Sequence, residues 1–183
     1  MVDLAVVLPL VLVALIAAAL ALFLQRASGA LRATRKVERF QQDAAALGAR
    51  LDEVLASMIA RVDAVRRHEA DGPAIVDDLA ATMAALDEGL VGAEGLEAPA
   101  AYAASRAGIV AEIGHAQRAL DMVRHGCELA AGPRARTRSM EAQIAVKRGY
   151  LNLLHAREAL ARHVADLAAA RDSTQSSWRT FRV

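Results

Sequence analysis

The sequence predicts an all-α protein: a single N-terminal transmembrane helix followed by an antiparallel, up-down four-helix bundle with long helices. Three observations carry that expectation. Residues 4–24 form an uninterrupted apolar run of 21 residues. Behind it, apolar residues recur at spacings of three and four, with no alternating strand pattern. Finally, 55% of the 183 residues are apolar but only 3% aromatic, and an Ala- and Leu-rich chain of that kind favours helix over sheet.

At 1.5 Å per residue the apolar run is about 30 Å long, the thickness of a bilayer's hydrocarbon core. Pro9 lies near its start, where a missing N–H is tolerated. The run exceeds a signal-peptide core, and its three-residue leader carries Asp3 and no basic residue. After the run come Arg26, Arg32, Arg35, Lys36 and Arg39. The positive-inside rule then places the N-terminus outside and the rest in the cytoplasm, as a single-pass protein of the cell membrane. Four segments are expected: an anchor (1–25), a basic juxtamembrane stretch (26–39), the bundle (40–172) and a flexible or membrane-interfacial tail (173–183). In that tail Trp178 and Phe181 alternate with Arg179 and Arg182, which suits a membrane interface.

The first bundle helix is expected to reach about residue 68. Ala33, Val37, Phe40, Ala44, Leu47, Leu51, Val54 and Met58 form a heptad seam that drifts to Val62 and Val65. Asp71-Gly72-Pro73 ends it, with Pro suited to a first helical turn. The second helix (about 73–90) carries Ile75, Leu79, Met83, Leu86 and Leu90, with Asp77 and Asp78 favourably near its positive end. The third (about 100–131) carries Tyr102, Ile109, Ile113, Ala116, Leu120, Val123 and Cys127. The fourth, from Thr137 or Ser139 to about 171, carries Val146, Tyr150, Leu153, Leu160, Val164 and Leu167, widened by Met140, Ile144, Leu151 and Leu154. Short connections imply antiparallel neighbours, with the turns at Asp71-Gly72 and Gly132-Pro133 at the same end.

The net charge of +1 conceals three blocks. Residues 25–67 hold nine basic and five acidic side chains, 68–105 hold eight acidic and no basic ones, and 106–183 hold thirteen basic and seven acidic. The acidic block is expected to complement arginines on the third and fourth helices, or a partner. Lone Cys127 excludes an intramolecular disulfide and a cysteine zinc cluster, and reads as a small buried hydrophobe.

The chain resembles the LemA family, bacterial proteins with an N-terminal anchor, an outside N-terminus and a cytoplasmic helical domain. The likeness rests on length, the anchor, Gly29, Arg32, Val37, Val62, Val65 and His68-Glu69, and on Ala156-Arg157, Val164 and Asp166 near the end. It is divergent: the family's Tyr-Asn pairs are replaced by Ala27-Ser28 and Leu160-Ala161, and its polar-basic motif with a following Pro by the sequence around Ala46 to Arg50. The resemblance implies architecture and no particular reaction.

Candidate sites are few. Glu112 and His115 have a Glu-x-x-His spacing, but a di-iron site needs a second such pair, which the sequence lacks. No nucleophilic triad, phosphate loop or dinucleotide fingerprint is present, and no cofactor or small-molecule substrate is implied. Arg134, Arg136 and Arg138, followed by Lys147-Arg148, form the best local site for phosphate or an acidic partner. Nucleic acid is disfavoured, because a stacking aromatic face is missing. The expected function is a non-enzymatic, membrane-anchored scaffold or interaction module with protein partners or self-association. Val37, Phe40, Ala44 and Leu47 form the seam for a second copy. The alternatives are a tethered metal-binding or enzymatic bundle, and an acidic-partner or nucleic-acid tether through Arg134 to Arg138.

Overall fold

A computed structural model describes the backbone of residues 4–133 and 135–180, and the side chains of residue 20 and of residues 32–133 and 135–170. The described chain is helical, with no strand among the described residues. It contains α1 (Leu4–Arg66), α2 (Val76–Glu94), α3 (Ala103–Ala131) and α4 (Ala135–Thr180), with 3-10 turns at Gly72–Ile75 and Ala100–Tyr102. The chain divides into two compact units, 1–39 and 40–183. In the first, Arg32, Arg35, Lys36 and Arg39 are exposed and Val37 is half-buried. The side chains of Arg26 and Trp178, and Phe181 entirely, lie outside the described residues. No helix among the described residues is long and apolar enough to cross a membrane, and the apolar run 4–24, apart from Leu20, falls outside the described side chains.

The second unit is a helical bundle whose core draws on all four helices. Leu51, Leu55 and Val62 of α1, Leu86 of α2, Ile113 and Leu120 of α3 and Leu153 of α4 are each at most 1% exposed. Neighbouring helices meet in opposite senses. On α1 and α4, Gln41 pairs with Leu167, Gly48 abuts Val164 and Asp52 meets Arg157. Gly89 of α2 abuts Leu51 of α1, and Asp78 pairs with Arg61.

α3 and α4 approach each other backbone to backbone. A methyl built on Gly126 would lie 2.9 Å from the Ala142 carbonyl oxygen, and one on Gly149 would lie 2.8 Å from that of Ala119. Two glycines, one per helix, therefore let each backbone rest directly on the other. Ala119 and Ala142, with Val123 and Val146 beside them, complete both contacts.

Several expected details differ. The buried stripe of α1 runs through Leu51, Leu55, Met58 and Val62, so the register shift falls at Leu55 and half-buried Val54 leaves the seam. Phe40, Ala44 and Leu47, expected to pair with a second copy, are at most 7% exposed. They lie in the unit's own hydrophobic core, where Phe40 tilts against Tyr102 at a centroid distance of 5.8 Å. Intramolecular packing has taken up the seam. On α4, Met140, Ile144 and Leu151 are exposed, while Ala142 and Gly149 take the buried positions, because the close pairing with α3 admits only small residues there. α4 starts at Ala135 and continues to Thr180, into the expected tail. The acidic block reaches α1 through Asp78 and Arg61, and no ion pair joins it to α3 or α4 among the described residues.

Helix propensity and packing oppose each other at the two glycine contacts, which makes them testable. Replacing Gly by Ala gains about 1 kcal/mol in an exposed helix interior, whereas overpacking a tight contact costs about 1–3 kcal/mol. Gly149→Ala should destabilise the bundle in a denaturant titration, since a backbone oxygen cannot rotate away. Gly114→Ala should stabilise it, because the nearest atom to its methyl is the Arg118 Nη1 at 3.5 Å.

Candidate functional site

The turns around residues 67–72 and 132–135 meet at one end of the bundle, where they border a half-open cavity of about 590 Å³ whose polar side chains are exposed. That volume lies within the range of small-molecule pockets, roughly 300–1,000 Å³. Its apolar side comes from Val65 of α1, Cys127 and Ala130 of α3, and Ala142 and Val146 of α4. Its polar side comes from Arg66, His68, Arg136, Lys147, Ser139 and Gln143, with Asp71 the acidic member. The 3-10 turn closes against α3: a methyl on Gly72 would sit 3.3 Å from the Cys127 Sγ. Cys127 itself is 2% exposed, and burial pushes its thiol upward, so it behaves as an inert packing group.

His68 reaches this cavity at a backbone cost. Its φ is 62°, and it is the non-glycine residue with positive φ among the described residues. The reason is the end of α1. Glu69 N–H donates to the Ala64 carbonyl at 2.8 Å and His68 N–H to that of Val65 at 3.0 Å. This paired pattern satisfies the last carbonyls of a helix by turning one residue left-handed, a position that glycine ordinarily fills. A side chain there costs about 1–2 kcal/mol.

Arg66 is held in place by two contacts. Its Nε and Nη2 donate to Asp63 Oδ1 at 2.9 and 2.6 Å, and its guanidinium lies 5.2 Å from the Tyr150 ring centroid. Arg67 donates to the other oxygen of the same carboxylate, with its Nε at 2.8 Å. The Arg67 and then the Arg66 hydrogen bonds hold the Asp63 carboxyl below its ordinary 3.8. Arg157 likewise lowers Asp52 through a hydrogen-bonded pair at 2.6 and 3.0 Å.

The basic loop expected from sequence is divided by the fold. Arg138 turns to Glu141, donating at 2.8 and 2.9 Å, whereas Arg136 and Lys147 line the cavity. The side chain of Arg134 lies outside the described residues. Arg66 and His68 are additional members that sequence reasoning missed; 70 residues separate Arg66 from Arg136, and the signal was the expectation that both turns share one end.

The Glu-x-x-His pair is self-contained: His115 Nδ1 lies 3.0 Å from Glu112 Oε2. His155 and Glu158 line the same groove, but no group of three or more His, Cys, Asp or Glu that could hold a metal occurs among the described residues. His163 packs over Gly108, whose added methyl would lie 2.6 Å from the ring. Comparison with family models, with curated proteins and with solved structures finds no match.

Two outcomes follow from this geometry. His68→Gly should raise the melting temperature, because it relieves the left-handed strain while keeping the helix-ending hydrogen bonds. Because Asp63 is depressed in the folded state, the unfolded chain binds more protons, so stability falls as pH drops below about 3.8 and through the lowered folded value. Asp63→Asn should flatten that acid limb in melts between pH 2 and 6, whereas an unchanged limb would remove Asp63 from the account.

Proposed function

We propose that this chain is a single-pass membrane protein whose up-down four-helix bundle faces the cytoplasm and acts as a non-enzymatic interaction module. The observation that carries the reading is the 21-residue apolar run with basic residues on its C-terminal side alone. The divergent likeness to the LemA family supports the same architecture. The exposed basic flank, Arg32, Arg35 and Lys36, suits anionic headgroups on the cytoplasmic leaflet, each charge contributing about 1 kcal/mol.

The interaction reading draws on the outer face of α4. Met140 is 74% exposed, Ile144 46% and Leu151 43%, and helical spacing places them on one line with Lys147 and Arg148. An apolar ridge interrupted by cations suits a protein partner that presents apolar residues flanked by acidic ones. These side chains contribute little to the bundle's own core, so the partner is the group that would cover them.

Cysteine-accessibility labelling tests the topology. In a Cys127→Ala background, a cysteine replacing Val2 should label from outside intact cells, and one replacing Ser176 only after permeabilisation. Labelling of Ser176→Cys in intact cells would overturn the cytoplasmic placement. For the partner, a photo-crosslinker at Ile144 should yield a discrete adduct in cells that Leu151→Glu removes. An adduct insensitive to that substitution would exclude the ridge.

A further inference from the structure

The cavity at the end of the bundle combines three features, and it shares only Lys147, on its rim, with the α4 ridge. It has an apolar wall, formed by Val65, Ala130 and Val146. It has a cluster of basic groups brought together from α1, its terminal turn and α4. And it has one side chain, His68, at a left-handed helix-ending position that glycine more often fills. Strain of this kind at a cavity wall points to a use for the side chain.

We propose that this cavity is a binding site for a small organic anion, a phosphate or carboxylate monoanion or dianion attached to an apolar body. The charge balance favours an anion: Arg136, Lys147 and His68 form no ion pair with a described residue, and Arg66 adds a guanidinium already fixed by Asp63 and Tyr150. Asp71 is the single acidic side chain in the lining. The first turn of α4 contributes as well, since the wall includes Ala135 and Arg136 at its positive end. Ser139 and Gln143, one and two turns further on, supply neutral donors.

Size and lining separate this ligand class from its neighbours. About 590 Å³ exceeds what a bare phosphate fills, and half-buried Val65 and exposed Ala130 would face water if the ligand had no apolar part. A guanidinium and an ammonium on separate helices can each meet a different oxygen of one anionic group. The site is independent of the membrane reading, because every residue in it belongs to the bundle unit.

The test uses the full-length protein in phosphatidylcholine nanodiscs, with phenyl phosphate as the probe and calorimetric titration against empty discs. Saturable one-to-one binding is expected, about tenfold or more tighter than inorganic phosphate or phenol. Arg136→Glu with Lys147→Glu should weaken it about tenfold or more, as should His68→Gly despite its higher melting temperature. Ala130→Phe, at an exposed wall position, should block binding by filling the cavity while the helical circular-dichroism signal is retained. Absence of saturable binding would overturn the site. So would equal binding of inorganic phosphate, or binding that survives both Arg136→Glu/Lys147→Glu and Ala130→Phe.

Discussion

The backbone contact between α3 and α4 is the constraint on which the bundle depends. With Gly126 against the Ala142 carbonyl and Gly149 against that of Ala119, the two helices approach more closely than ordinary side chains permit. The consequences reach outward. Cys127 follows Gly126 and supplies the surface on which the Gly72 turn rests. Ala142 and Val146, drawn toward α3, form one wall of the cavity. The small residues on the facing side of α4 leave Met140, Ile144 and Leu151 on its outer side. One steric fact thus shapes the core, the cavity and the exposed ridge.

Polar contacts refine this arrangement more than they sustain it. Asp52 and Arg157 make a two-pronged pair between α1 and α4, but their side chains are 45% and 36% exposed. A pair so open to solvent contributes about 0–1 kcal/mol, whereas each fully buried leucine such as Leu120 or Leu153 contributes about 1.5–3 kcal/mol. Packing therefore sets the stability, and the ion pair fixes register. The Gln41 side-chain amide, donating to the Leu167 carbonyl at 3.1 Å from a buried position, fixes register in the same way further along. At the cavity the polar groups have a different task, since Asp63 holds two arginines while remaining 8% exposed itself.

Much of this was legible in the sequence, and the failures have physical causes. Periodicity identified four helices and most of the buried stripe of α3, from Ile109 to Cys127, because those positions repeat without interruption. The stripe of α4 was misjudged where large apolar residues lie beside small ones: hydropathy favours Met140 and Ile144, while the close contact with α3 selects Ala142 and Gly149. Periodicity cannot reveal how near the partner helix comes. Likewise, the seam from Phe40 to Leu47 looked free because it precedes the other helices in sequence, whereas residues more than 50 positions later, Tyr102 among them, pack against it. The cavity was half legible. Arg136 and Lys147 stood out as a basic stretch, but the sorting of Arg138 to Glu141 and the arrival of Arg66 and His68 are tertiary events. The positive φ of His68 carries no sequence signal, since the residue at that position is not glycine.

Native-state hydrogen exchange tests the central claim most directly, because amides in the last element to open exchange only when the whole unit unfolds. If the α3–α4 contact underlies the fold, the slowest amides will lie on the two facing stretches, 119–126 and 142–149, with a free energy of exchange equal to that of global unfolding. Slowest exchange in α1 and α2, with 119–126 and 142–149 opening locally at lower cost, would contradict it.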